Sequence, residues 1–151
     1  MIIYVITLTT MEDSPEVSII SVTANNAIAK QKLKQAEAQA QEWMQDLDED
    51  SSDWAKATLT ELDIPGTVYP GDTVTVAIVT EWLESIDSEI KVFPDNPSAE
   101  SFISEKKKTI LERYENIIPF DDDETIEESS HLADDSVMVD YYFTIENVVA
   151  D

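Results

Sequence analysis

The chain has 151 residues, no cysteine, and 33 acidic against 9 basic residues, for a formal net charge of −24. Disulfides, thiolate nucleophiles and thiolate metal sites are therefore excluded. Ordinary binding to nucleic acid is disfavoured too, because phosphate contacts need Lys and Arg, and Arg113 is the only arginine. A hydrophobic share of 42% is enough for a packed core, so the acidity is not that of a disordered chain.

The N-terminal run 2–10 alternates Ile, Tyr, Val and Thr with the period of two that marks a strand. It lacks a basic start and a long apolar core, so it reads as structure and not as a leader. No stretch approaches the ~18 apolar residues of a membrane span. The expected address is the cytoplasm. A polar turn, Glu12-Asp13-Ser14-Pro15, leads into a second strand over 17–23, which makes a hairpin.

A helix follows, with Asn25 or Asn26 as its cap. Ala29, Leu33, Ala36, Ala40, Trp43, Met44 and Leu47 form one apolar stripe at helical spacing. After it come Asp46, Asp48, Glu49, Asp50 and Asp53, then a third strand over 54–62. The two glycines of the chain, Gly66 and Gly71, both follow prolines in 65–72, a turn-rich connector.

The second half repeats this order at an offset of 70. Tyr4, Ile6 and Leu8 fall on Val74, Val76 and Ile78; Ile20 and Val22 fall on Ile90 and Val92; Ala29, Leu33 and Ala40 fall on Ala99, Ile103 and Ile110. Strands are expected over 73–82 and 89–93. A helix capped by Asn96, with Pro97 at its first position, carries Ala99, Phe102, Ile103, Ile110, Tyr114 and Ile117. A last strand covers 137–149. About 14 extra residues before that strand hold the acidic run Asp121, Asp122, Asp123, Glu124, Glu127 and Glu128. The fold class is α+β: duplicated ββαβ units, 1–64 and 73–151, with antiparallel sheet or sheets and two helices packed on one face. Six strands are expected, in one sheet or two.

Catalytic groups are scarce. His131 is the single histidine, placed in an acidic loop, and two glycines cannot build a phosphate loop. Residues 46–50 open like a calcium loop, but its sixth and twelfth positions would be Ser51 and Ala57 where Gly and Glu are needed. No enzyme activity, cofactor or dedicated metal site is expected. Lys106, Lys107 and Lys108 read as a solvated face pairing with Glu105 and Glu112.

The carboxylates are then the feature to explain. At one charge per about 1.7 Å of B-DNA, the net charge matches roughly 41 Å of duplex. A compact chain of this length has a radius of gyration of roughly 15 Å, hence a diameter near 38 Å. DNA-like charge thus fits a DNA-like length. In size, charge and lack of catalytic groups the chain resembles the acidic anti-restriction and anti-CRISPR proteins of phages and mobile elements, a likeness of general character that rests on no motif. That resemblance implies a non-catalytic inhibitor whose carboxylates occupy the groove of a basic nucleic-acid-binding protein, a nuclease or defence complex. The partner-binding residues would be Asp46, Asp48, Glu49, Asp50 and Asp53 after the first helix and Asp121, Asp122, Asp123, Glu124, Glu127 and Glu128 after the second. An alternative is a structural or immunity-type protein that binds through a sheet edge or through Trp54, Trp82, Tyr141 and Tyr142.

Overall fold

The computed structural model describes residues 1–113, 116–117, 127–134 and 137–151. The chain forms two compact units, Met1–Asp72 with Val148–Asp151, and Thr73–Asn147.

In the first unit, β1 (Ile2–Met11) and β2 (Pro15–Thr23) form the hairpin, α1 (Asn26–Gln45) follows, and β3 (Trp54–Asp63) returns. The sheet order is β2-β1-β3, with both pairings antiparallel. The hairpin's first strand is thus central, and α1 carries the chain over it. The side chain of Asn25 starts the helix by accepting from the N–H groups of Ala27 and Ile28, at 2.9 and 3.2 Å. Two otherwise orphaned donors are satisfied in this way. The helix ends at Gln45, so Leu47 lies beyond it. Ala29 and Ala36 pack on Ile6, and Ala40 packs on Leu8 and Ala55 with Trp43 beside them.

The second unit repeats the plan with β4 (Thr73–Trp82), β5 (Ile86–Phe93), α2 (Asn96–Arg113) and β8 (Val137–Val149). Two strands not expected from the sequence, β6 (Asn116–Ile117) and β7 (Glu127–Asp134), extend its sheet to the order β5-β4-β8-β7-β6. Among the described residues there are thus eight strands in two sheets, against the expected six. Ile117 belongs to β6 and not to the helix, and Tyr114 lies outside the described residues. Asp95, not Asn96, caps α2: its carboxylate accepts from the Ser98 N–H at 2.8 Å. Hydrogen bonds from the Ser98 side chain and backbone hold the Asp95 carboxyl below its ordinary range. The neighbouring Asn96 Oδ1 lies 3.4 Å from the Thr75 hydroxyl, which donates over a shorter distance, 2.8 Å, to Asn147 Oδ1.

The duplication holds at the level of the fold, but one strand is shifted. Met11 and Trp82, which end the first arm of each hairpin, stand 71 positions apart (82 − 11). The caps Asn25 and Asp95 stand 70 apart (95 − 25). The difference is Ile20, the extra residue of a bulge in β2: Ile6 pairs with Ser21 but Thr7 pairs with Ile19. Tyr4, Ile6 and Leu8 therefore correspond to Thr75, Ala77 and Val79. A shift of one residue exchanges the two faces of a strand. The correction is visible in the cores, since Ala77 and Val79 pack with Ala99, Ile103 and Ile110 under α2. Ile6 meets Ala29, Ala36 and Leu33 in the first unit, and Ala77 is grouped with Ala99 and Ile103 in the second.

Residues 148–151 complete the first unit. Asp151 donates its N–H to the Val22 carbonyl at 2.8 Å, and its own carbonyl accepts from the Thr23 hydroxyl at 2.9 Å. Its carboxylate accepts from Ser21 Oγ. Thr23 Oγ1 also accepts from the Asn25 N–H, which ties this network to the start of α1. Ser21 and Thr23 are buried, and these bonds satisfy their hydroxyls.

Candidate acidic interface

Strand register gathers the first acidic cluster with a second set that the sequence reading left apart. Met11 pairs with Pro15 on one side and with Trp54 on the other. The β1–β2 turn and the start of β3 therefore stand side by side. The C-terminal part of α1 arrives at the same end, because Ala40 and Trp43 pack against Leu8 and Ala55. One end of the first sheet thus receives Glu12, Asp13 and Glu16 from the turn and Asp46, Asp48, Glu49, Asp50 and Asp53 from the α1–β3 loop. Of these eight, all but Asp53 are exposed, and Asp53 is half-buried. Among the described residues none of the eight is in an ion pair. The nearest base in the register is Lys56, opposite Thr9.

The loop backbone is folded on itself. Asp46 closes α1 in a right-handed helical conformation with its N–H on the Met44 carbonyl, and the Ser51 N–H reaches the Asp48 carbonyl at 3.0 Å. The Asp53 N–H donates to Ser51 Oγ at 3.2 Å. Side-chain charge, by contrast, is set against the helix. The first turn of α1 holds no acid and the last turn no base, while Lys30, Lys32 and Lys34 lie in its first half. The carboxylates of Asp46 and Asp48 follow its carbonyl-rich end, where the helix dipole disfavours negative charge.

Of the second expected cluster only Glu127 and Glu128 are among the described residues. Helix α2 ends at Arg113, and β6 intervenes before the acidic run. Asp121, Asp122, Asp123 and Glu124 lie outside the described residues. Glu127 and Glu128 open β7, opposite Phe143 and Tyr142 of β8. His131 is also in β7, between Ile117 and Val139, and not in a loop. The polar segment around it is weak in strand propensity, and ladder pairing with β8 overrides that weakness.

In the second unit the hairpin acids are partly answered. Lys106 pairs with Glu89 across the unit, not with Glu105 or Glu112 along its helix, and lies 5.7 Å from the Phe102 ring centre. Lys107 sits 5.1 Å from the centre of the Phe143 ring. Both ammonium groups lie over aromatic faces, the geometry of a cation–π contact. Tyr141 donates its hydroxyl to Glu81 at 2.7 Å, on the wall of an open cleft of about 250 Å³ that Asp87, Glu89 and Lys106 also line. The Lys106–Glu89 and Tyr141–Glu81 contacts join residues 17 and 60 positions apart, and nothing local in the sequence signals them.

Of the aromatic residues considered as anchors, Tyr141 is only 2% exposed and belongs to the core, so it is not available to a partner. Trp54, Trp82 and Tyr142 are half-buried. Among the described residues no group of three or more acidic or histidine side chains is placed to hold a metal ion, and no helix is long and apolar enough to cross a membrane. No protein-family model, curated protein or solved structure matches the chain.

Proposed function

We propose that the protein is a non-catalytic inhibitor that works in the cytoplasm as a nucleic-acid mimic, occupying the DNA- or RNA-binding groove of a nuclease or defence effector. The observation that carries this reading is the convergence of eight carboxylates, without an ion-pair partner among the described residues, at one end of the first sheet. A cationic groove meets such an array as it meets consecutive phosphates. Attraction of this kind speeds encounter and fades with ionic strength. The opposed charge at the end of α1 supports the same reading. Solubility alone is served by acids anywhere on the surface, and this place carries a cost in stability.

The test is capture of partners from a host lysate on the immobilised protein, followed by a salt gradient and by competition with duplex DNA. The expected partner elutes between low and moderate salt and is displaced by DNA. A variant with Asp46, Asp48, Glu49 and Asp50 all changed to Lys should not retain it. A partner that stays bound in 1 M salt, ignores DNA or binds the variant equally well rules the proposal out.

A further inference from the structure

The duplicated halves differ at one edge. In the second unit the outer edge of β8 holds an antiparallel strand, β7. In the first unit the corresponding strand is β3, and among the described residues no strand lies on its outer edge. The opposite edge of the same sheet, β2, is guarded in three ways. It begins at Pro15, it is bulged at Ile20, and Asp151 takes its Val22 carbonyl. Proline, bulges and covering groups are the usual devices that prevent an edge from recruiting another strand. Strand β3 has neither proline nor bulge, and its protection is limited to the charges of Lys56, Glu61 and Asp63. It runs for ten residues without proline, and its register with β1 is unbroken from Trp54 to Asp63. Lys56 is its single basic residue.

We infer that the outer edge of β3 is a strand-addition site for an extended segment of a basic partner, bound antiparallel as β7 is bound to β8. Backbone hydrogen bonds supply the attachment and flanking charge supplies the selectivity. The acidic loop 46–53 leads directly into Trp54, and Glu61 and Asp63 are exposed toward the other end of the strand. An antiparallel guest runs from Asp63 toward Trp54, so its C-terminal residues arrive beside Asp53 and Asp50. Lys or Arg is favoured there. A second copy of this chain is a poor guest. Antiparallel pairing of β3 with itself sets the acidic loop of each copy toward the other's Glu61 and Asp63, between molecules of net charge −24. The basic character of the guest rests on the function proposed above, but the edge itself does not.

The experiment uses the whole protein and three synthetic ten-residue peptides. The first alternates Thr and Val and ends in three Lys. The second is the same peptide N-methylated at alternate residues, which removes one row of donors. The third carries Glu in place of Lys. Binding is followed by backbone amide shifts. The expected result is saturable binding of the first peptide with shifts concentrated over residues 54–63, and at least tenfold weaker binding of the other two. Equal binding of the N-methylated peptide, or shifts centred on β2 or β5, overturns the edge assignment. Equal binding of the Glu peptide overturns the basic guest while the edge stands. Dimerisation of the free protein through β3 overturns the proposal as a whole.

Discussion

Replacing Asp46 and Asp48 together with asparagine is expected to stabilise the protein at low salt. Asp46 closes α1, Asp48 lies two residues on, and no base stands in the last turn to offset them. A charge of the wrong sign at a helix end costs about 0.3–1 kcal/mol at low ionic strength. Removing two of them returns roughly 0.6–2 kcal/mol. Each neighbouring carboxylate about 10 Å away adds at most about 0.4 kcal/mol of repulsion in water, before screening. For a chain of this size about 1 kcal/mol moves the melting midpoint by roughly 2–4 °C, so the double variant should gain about 1–8 °C. The assay is thermal and urea unfolding at low salt and again in 1 M NaCl, where a Debye length of about 3 Å removes most of the gain. Changing Glu12 and Asp13 to Gln and Asn serves as the control. It lowers the charge at the same end of the sheet but away from the helix axis. A loss of stability, a gain that persists in 1 M salt, or an equal gain in the control refutes the dipole argument. On the function proposed here, the stabilised variant is also the weaker inhibitor.

Three further outcomes are expected. Asn25→Ala leaves the Ala27 and Ile28 N–H groups without their acceptor and should cost about 1 kcal/mol, measured by urea titration, whereas Asn25→Asp keeps the cap. The Asp95 carboxyl is more acidic folded than unfolded, so its contribution is present above the ordinary Asp value near 3.9 and is lost as pH falls through the lower, folded value. Asp95→Asn should therefore flatten the acid limb of stability below about pH 4, and an unchanged limb contradicts the assignment. Asp151→Ala strands the buried Ser21 hydroxyl at a cost of about 1–3 kcal/mol, and adding Ser21→Ala should recover most of the loss. Strict additivity of the two changes, read from a double-mutant cycle, counts against the contact.

Local chemistry made much of the fold legible. Residues 2–10 and 73–82 showed their strand character through Val, Ile and Thr content, and the Ala-rich stripe from Ala29 to Ala40 fixed the face of α1. The polar turn of the first hairpin and the Pro-Gly connector stood where turns are, and Gly66 and Gly71 do adopt positive φ, at 85° and 91°. The misreadings share a physical origin. Residues 74–80 are buried on both faces of β4, so no polar alternation revealed which face meets α2, and the bulge at Ile20 displaced the alignment by one. The strand around His131 is held by pairing with β8 and not by its own propensity. In the candidate site, the loop acids were visible as a charge run. Their union with Glu12, Asp13 and Glu16 was not, because it depends on the shared pairing of Met11 with Pro15 and Trp54.

The network at Asp151 sets an order of events. Ser21 and Thr23 are made early in synthesis, and their partner is 130 and 128 residues downstream. Until residues 148–151 emerge, two hydroxyls and the Val22 carbonyl of an otherwise assembled sheet must be served by water. The nascent N-terminal half is therefore held short of its final state, and closure awaits contacts of very high sequence separation, which are slow to form. A ribosome-stalled chain lacking residues 148–151 should exchange its Ser21–Thr23 amides faster than the released protein.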